Sequence, residues 1–221
     1  TWYNTFMSKL GTEPYKGVRD FYPEDMAVLN YIFDTWRKIA KDFGYEEYGA
    51  SILEPVELYR GKTSEEIVND QMFTFTDRGE REVSLRPEMT PTLARMVAGK
   101  RRNLKFPLRW FSIPNVFRYE RPQRGRRREH WQLNADLMGI AGTEADVEII
   151  SLAYKIMKEF GAKDEDFSIR ISSRKALPEG TDMENVRKMD RGEETGVEVR
   201  ETEEIRKILE KLTTQTILQS L

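Results

Sequence analysis

The sequence predicts an α+β domain built around an antiparallel sheet. Three observations lead there. The β-rich runs mostly follow one another directly and are joined by short polar connections, with few β-α-β alternations. The long amphipathic helical patterns, at residues 24–43 and from Thr143 to Phe160, lie outside those runs. No glycine-rich phosphate loop of either common type is present, which argues against a doubly wound nucleotide fold.

In chain order, Met7 is a plausible native start, which leaves residues 1–6 as an extension. Val28, Leu29, Ile32, Phe33, Trp36, Ile39, Ala40 and Phe43 recur at spacings of three and four. This predicts a helix over 24–43, opened by Pro23 and closed by Gly44. A strand at 48–53 and a short helix at 56–59 follow. Residues 71–76 and 82–85 flank Asp77-Arg78-Gly79-Glu80 and read as a hairpin. A helix fits 92–98, with Pro91 in its first turn and Gly99 at its end. Long strands are expected at 108–120 and 129–138, joined by an arginine-rich connection at 121–128, with Pro114 marking a bulge or an edge. Thr143 and Asp146 have capping-box spacing. They start a helix with core positions Val147, Ile150, Ala153, Ile156, Met157 and Phe160, ended by Gly161. One more strand is expected at 167–172. Beyond Pro178 the chain turns polar and helical, most clearly at 203–212, so the expected division is a core at 1–178 and a small segment at 179–221.

Composition narrows the chemistry. The chain has 221 residues, 36 Lys and Arg against 38 Asp and Glu, and 38% hydrophobic residues, all ordinary for a globular protein. No window approaches the roughly 20 uncharged apolar residues of a membrane helix, and the first ten residues lack an apolar signal core, so a cytoplasmic protein without a membrane partner is expected. Without cysteine there is no disulfide, thiolate zinc site or cysteine nucleophile, and His130, the one histidine, excludes paired imidazoles. Carboxylates, Arg, Lys, amides and hydroxyls remain, a set suited to binding and polarising phosphates.

Charge is unevenly spread. Residues 89–128 hold twelve basic residues and one acidic residue, Glu120, whereas 179–210 hold eleven acidic and six basic. The basic stretch reads either as a solvated face or as an anion site for a nucleotide or nucleic acid. Alternation along the second long strand sets His130, Gln132, Asn134 and Asp136 on one face and Trp131, Leu133, Ala135 and Leu137 on the other. The apolar face is expected to cover helices. Arg118 and Glu120 likewise share a direction. Pairing of the two strands lines Arg118, Glu120, Gln132 and Asp136 along one polar surface beneath the arginine loop. Such a surface suits a zwitterion beside a polyphosphate, or is simply the wet side of an antiparallel sheet.

These residues resemble the histidyl-tRNA synthetase family of class II aminoacyl-tRNA synthetases. The resemblance covers about residues 16–177 and rests on Lys16-Gly17-Val18-Arg19-Asp20-Phe21-Tyr22-Pro23, on Leu85-Arg86-Pro87-Glu88-Met89-Thr90, and on Phe117-Arg118-Tyr119-Glu120-Arg121-Pro122-Gln123 followed by Gly125-Arg126 and Gln132. Asp136, where bacterial members usually carry Glu, resembles the archaeal and eukaryotic type.

The resemblance implies a class II synthetase-like antiparallel sheet flanked by helices, and a histidine-tRNA ligase that activates L-histidine with ATP and Mg²⁺ and then charges tRNA(His) in protein biosynthesis. It implies that Glu88 and Thr90 hold the α-amino group, with Gln132 and Asp136 completing the histidine pocket. Arg118 is the implied catalytic residue, gripping the α-phosphate and the substrate carboxylate. Glu120 meets the adenine edge and Arg126 reaches the β- or γ-phosphate. His130 stands where the family usually stacks a phenylalanine on adenine, and protonation of its ring makes ATP affinity pH-dependent. Ser51 replaces the proline usual in motif 1. The residues 24–43 helix and the 48–53 strand supply the implied homodimer interface. The resemblance assigns no protein ligands to Mg²⁺.

Nothing in the chain resembles the histidine-specific segment, the glycine-rich run and arginine of motif 3, or the C-terminal anticodon-binding domain. Family order places all three after residue 221, so the expectation is an N-terminal part with an incomplete catalytic domain, weakly active or inactive alone, in which the stretch from Glu179 begins an inserted helical domain or a linker. Two other readings are compatible with the sequence. One is the histidine-sensing regulatory subunit of ATP phosphoribosyltransferase, a non-catalytic paralogue. The other is a nucleic-acid module in which Phe106, Trp110, Phe111 and Phe117 interleave the basic stretch, residues that also read as strand core.

Overall fold

The computed structural model describes residues 11–61, 63, 67–121, 123, 125–171, 177–178, 181–182, 185–186 and 202–219. Met7, the 1–6 extension, Ser172 at the end of one expected strand, and Glu179 lie outside the described residues. The chain forms two compact units, 1–138 and 139–221. The composition boundary at 178 falls inside the second.

The first unit opens with helix α1, Pro23–Asp42, whose Pro lies in the first turn with Glu24 and Asp25, while Lys41 lies in the last. Those charges complement the helix dipole at both ends. Thr35, Ile39 and Ala40 are its buried residues, and Gly44 follows at φ 79°, a left-handed position that stops the helix without a Cβ penalty.

The 48–53 strand does not form. Its place is taken by β1, Glu46–Glu47, and β2, Leu53–Pro55, which belong to different sheets. The buried guanidinium of Arg86 supplies the bonds a neighbouring strand would give: it donates to Ala50 O at 2.9 Å and Ser51 O at 3.4 Å, and also to Asn115 O and Oδ1. Backbone carbonyls shielded from water need partners, and here a buried side chain provides them.

Strands β3, Phe73–Thr76, and β4, Glu82–Leu85, form the expected hairpin, and β2 pairs on the other side of β4. Asp77 Oδ1 accepts from the Gly79 and Arg81 amides and folds the turn, while Glu80 adopts φ 61°. Between β2 and β3 lie a short 3₁₀ turn at Val56–Leu58 and a π turn at Ile67–Gln71 that no sequence pattern announced. Helix α2, Thr90–Lys100, runs through Gly99 rather than ending there and continues as a 3₁₀ turn at Arg101–Asn103.

Each expected long strand is broken in two. The first becomes β5, Leu108–Ser112, and β6, Asn115–Phe117; the second becomes β7, Glu129–Trp131, and β8, Asn134–Met138. Pro114 has no N–H for the ladder, so the break falls at it, and its carbonyl accepts from Gln132 N at 3.2 Å across the matching gap. The pairing is antiparallel throughout, with Val116 opposite His130 and Trp110 opposite Asp136. β1 adds to β5 in parallel. Trp131 packs against Phe21 at 5.2 Å and Phe33 of α1 at 6.2 Å between ring centroids, so this strand does turn an aromatic face toward a helix.

In the second unit, α3 spans Thr143–Glu159 and α4 spans Glu203–Gln219, and the two pack together. The capping box is not made: Gly142, at φ 119°, precedes the helix and no side chain caps it. Thr143 Oγ1 and Glu144 instead accept from Lys211 of α4. Of the expected core positions, Val147 is buried, but Ala153 and Met157 are exposed and Leu152 is buried in their place. The packing of α4 selects a face of α3 slightly rotated from the one the apolar spacing marks. Residues 167–171 are not a strand. Among the described residues no helix is long and apolar enough to cross a membrane.

Candidate functional site

The end of β6 fixes the first member of the site. Arg118 N donates to Arg128 O at 2.9 Å, which holds its backbone to the strand leading into β7. Its side chain turns toward the 86–88 turn and donates through Nε to Pro87 O at 3.0 Å. Pro87 is fully buried, so the guanidinium is anchored at one nitrogen. Its two terminal amino groups bond to no described side chain.

Glu88, one residue beyond that carbonyl, is half-buried and accepts from Thr63 Oγ1 at 2.5 Å. Nothing in the residue pattern singled out Thr63. It lies 25 positions earlier and reaches Glu88 only through the tertiary fold. Thr90 is exposed at the first residue of α2, above the buried Pro91, Thr92 and Leu93. The dipole of an eleven-residue helix therefore begins at this corner of the site.

The arginine connection makes a tight turn, in which Gln123 N donates to Arg126 O and Arg126 N to Gln123 O, with Gly125 at φ 78°. Pro122 and Arg124 lie outside the described residues. Arg126 forms an ion pair with Glu120. The two side chains expected to meet different parts of one ligand thus meet each other here.

Arg128, the third arginine of the Arg126-Arg127-Arg128 run, does something the run did not announce. It is 7% exposed and donates to Glu120 O, Tyr15 Oη and Lys16 O. Its guanidinium sits 3.9 Å from the Tyr119 ring centroid and 5.5 Å from that of Tyr15, and its amide donates to Gly17 O. It straps the 15–17 segment to the base of the loop. Burial separates it from its exposed neighbours, and no one-dimensional pattern carries that distinction.

On the facing strands, His130 shares a sheet face with Val116, its partner in register. Burial, then the nearby Arg118 cation, lower its pKa, and Glu120 partly opposes them. The ring is neutral near pH 7. Gln132 donates through Nε2 to Asn134 Oδ1 at 2.8 Å, bridging the gap between β7 and β8. Asp136 stands opposite Trp110, and burial raises its pKa. The polar face expected along one strand is therefore assembled from two. Arg118, Glu120 and His130 gather at the loop end, and Gln132, Asn134 and Asp136 continue along β8.

Taken together, the described residues offer an anchored guanidinium whose terminal donors meet no described side chain, a carboxylate and hydroxyl beside a helix N-terminus, and a neutral imidazole under a basic loop, with a half-buried carboxylate further along β8. The family model described as Histidyl-tRNA synthetase matches residues 17–215. The chain belongs to the histidyl-tRNA synthetase family. It is 55% identical over 171 residues to the histidine–tRNA ligase of Leptospira biflexa, covering 77% of this chain and 39% of that protein. Against the histidine–tRNA ligase of Thermoplasma volcanium it is 48% identical over 162 residues, covering 73% and 37%. Among solved structures, an ATP phosphoribosyltransferase regulatory subunit/histidyl-tRNA synthetase from Bacillus halodurans superposes with a TM-score of 0.62 at 30% identity, over 70% of this chain and 39% of that one. The chain thus spans about two fifths of the length of the curated relatives it matches. Within the histidyl-tRNA synthetase family the α+β fold with antiparallel sheets is the one expected from the strand order.

Proposed function

We propose that the parent protein activates L-histidine with ATP and transfers the histidyl group to tRNA(His). The observation that carries this reading is the anchoring of Arg118 to Pro87 O, beside Glu88. One guanidinium whose two terminal amino groups bond to no described side chain, next to a carboxylate one residue from its anchor, fits a zwitterion whose carboxylate attacks a phosphate.

In the first step a histidine carboxylate oxygen attacks the α-phosphorus of ATP and the bond to pyrophosphate breaks. The nucleophile is already an anion, so no general base is required. The protein's task is to bring two anions into line and to stabilise charge growing on the phosphorus oxygens. Arg118 is the catalytic residue for this. Glu88 and Thr90 hold the α-amino group, with Gln132 and Asp136 completing the amino-acid pocket. ATP binding exchanges the Arg126–Glu120 pair for two new contacts, Arg126 to the β- or γ-phosphate and Glu120 to the adenine edge. Neutral His130 stacks on the base.

Mg²⁺ accompanies ATP. It would be bound through the nucleotide phosphates; among the described residues no group of three or more His, Asp or Glu side chains is placed to hold a metal ion. Residues 1–178 serve as the class II catalytic core and 179–221 as the start of an inserted helical segment or a linker. A homodimer through α1 and the 48–53 segment and a cytoplasmic location complete the proposal. The 221-residue chain, whose matched 171 residues cover 39% of the Leptospira biflexa relative, is proposed to be weakly active or inactive alone.

The test is histidine-dependent exchange of pyrophosphate into ATP by the parent protein. Exchange abolished by Arg118→Ala supports the proposal, and no exchange, or exchange unaffected by that change, overturns it. A second reading, a histidine-sensing regulatory subunit of ATP phosphoribosyltransferase, draws on the double description of the Bacillus halodurans structure. Histidine binding without ATP binding selects it.

A further inference from the structure

Tyr48 N donates to Phe111 O at 2.9 Å and so prolongs the parallel pairing of β1 with β5, in which Glu46 faces Trp110 and Glu47 faces Phe111. That register sets Tyr48 beside Ser112. Across β5, Ser112 faces Asn134 and Trp110 faces Asp136. Cross-strand partners share a face, so Tyr48, Ser112 and Asn134 form one row, and Glu46, Trp110 and Asp136 the next. The Tyr48 ring lies against Trp110, 5.8 Å between centroids at 37°, which leans it from its own row toward that of Asp136.

Tyr48 Oη and Ser112 Oγ are both buried and, apart from each other, meet no hydrogen-bonding partner among the described residues. Ser112 is 2% exposed. A buried hydroxyl pair can satisfy only part of its donors and acceptors internally, so it marks a place where a further polar group belongs. Asp136 lies next to them, buried enough to raise its pKa, and no described side chain donates to it. The phenol pKa is pushed up to about 12, by burial first; a hydrogen bond from the Ser112 hydroxyl opposes the rise, the Asp136 charge adds to it and the Arg86 cation opposes it, so the phenol feels the Asp136 charge.

We propose that Tyr48 and Ser112 are positioning residues for Asp136: their hydroxyls, sharing one water, donate to its carboxylate, orienting it and keeping it ionised for a cationic group of the amino-acid substrate. The inference rests on the reading of Asp136 as part of the amino-acid pocket. The other charged groups facing this cluster are Arg86, committed to Ala50 O and Asn115, and Glu46, exposed at the far end of the Trp110 row. Neither bonds to Asp136 among the described residues.

The sign follows. A donated hydrogen bond favours the carboxylate, so removing it raises the Asp136 pKa further. In the parent protein, Tyr48→Phe is expected to raise the histidine KM about tenfold or more, the worth of one hydrogen bond to a charged group. The acid limb of kcat/KM for histidine moves to higher pH, while the ATP KM stays unchanged. Ser112→Ala acts in the same direction and Ser112→Thr restores the wild-type profile. In an Asp136→Asn background Tyr48→Phe adds nothing further. An unmoved acid limb, or an equal effect of Tyr48→Phe with and without Asp136, overturns the proposal. The carboxyl carbon titration of Asp136 by NMR on the 221-residue chain reads the same shift without any catalysis. A raised midpoint in Tyr48→Phe supports the pairing, and an unchanged one overturns it even where exchange is absent and the proposed function itself has failed.

Discussion

Arg118 donates through Nε to the carbonyl of Pro87 at 3.0 Å, and this bond joins the end of β6 to the turn that carries Glu88. Thirty-one residues of chain separate the two. A guanidinium held at one nitrogen keeps a fixed plane and presents its other donors in a set direction, which is the preorganisation that stabilisation of developing negative charge requires.

Loss of that group is therefore expected to be severe. Arg118→Ala lowers kcat/KM for histidine-dependent pyrophosphate exchange by about 100-fold or more, on the order of 3 kcal/mol in the transition state. Arg118→Lys does not restore it, because an ammonium cannot bond Pro87 O and two ligand oxygens in one plane. Steady-state exchange kinetics on the parent protein read both.

Arg128 predicts a stability effect instead. Its guanidinium is buried, satisfies three acceptors and lies between two tyrosine rings. Arg128→Ala removes the donors to two carbonyls and a phenol and is expected to cost about 3 kcal/mol. Urea unfolding of the 221-residue chain measures it, and loosening of residues 15–17, seen as faster exchange of the backbone amide at position 128, which donates to Gly17 O, accompanies it.

His130 supplies a titration free of overlap, being the single histidine of the chain. Burial and Arg118 depress its folded pKa. Above the unfolded value of about 6.5 both states carry a neutral ring and its contribution is fully present. As pH falls from there through the depressed folded value, the unfolded chain takes up the proton first and stability is lost. NMR titration of the imidazole is expected to give a midpoint below 6.5, and Arg118→Ala moves it upward. His130→Phe removes this part of the acid loss of stability.

Glu54 gives a fourth expectation. Its side chain is 4% exposed and is bonded by Arg95 of α2 at 2.7 Å. Arg95→Ala leaves a buried carboxylate without this partner and is expected to destabilise the first unit by about 3 kcal/mol, whereas replacing both residues by Leu and Met costs much less. Chemical unfolding of the single and double variants decides it.

Helix α1, the β3–β4 hairpin and the antiparallel pairing across the arginine connection were all legible in residue order. Each depends on short-range information: apolar spacing, a terminal proline, an Asp-led turn, or alternation. The strand expected at 48–53 failed for the opposite reason. Its β-rich residues satisfy the local rule, but their carbonyls are taken by Arg86, more than thirty residues away. The Thr143 capping box failed similarly, since Lys211 claims both Thr143 and Glu144.

The sequence by itself determined the residue types of the site, the order of its elements and the family, because these are properties of spacing along the chain. Only the tertiary structure decided which of three adjacent arginines is buried, that Thr63 reaches Glu88, that Arg126 and Glu120 hold each other, and that the buried Tyr48 and Ser112 hydroxyls lie in the row next to that of Asp136. Burial and hydrogen-bond satisfaction arise between segments distant in sequence, and they exist only once the chain has closed on itself.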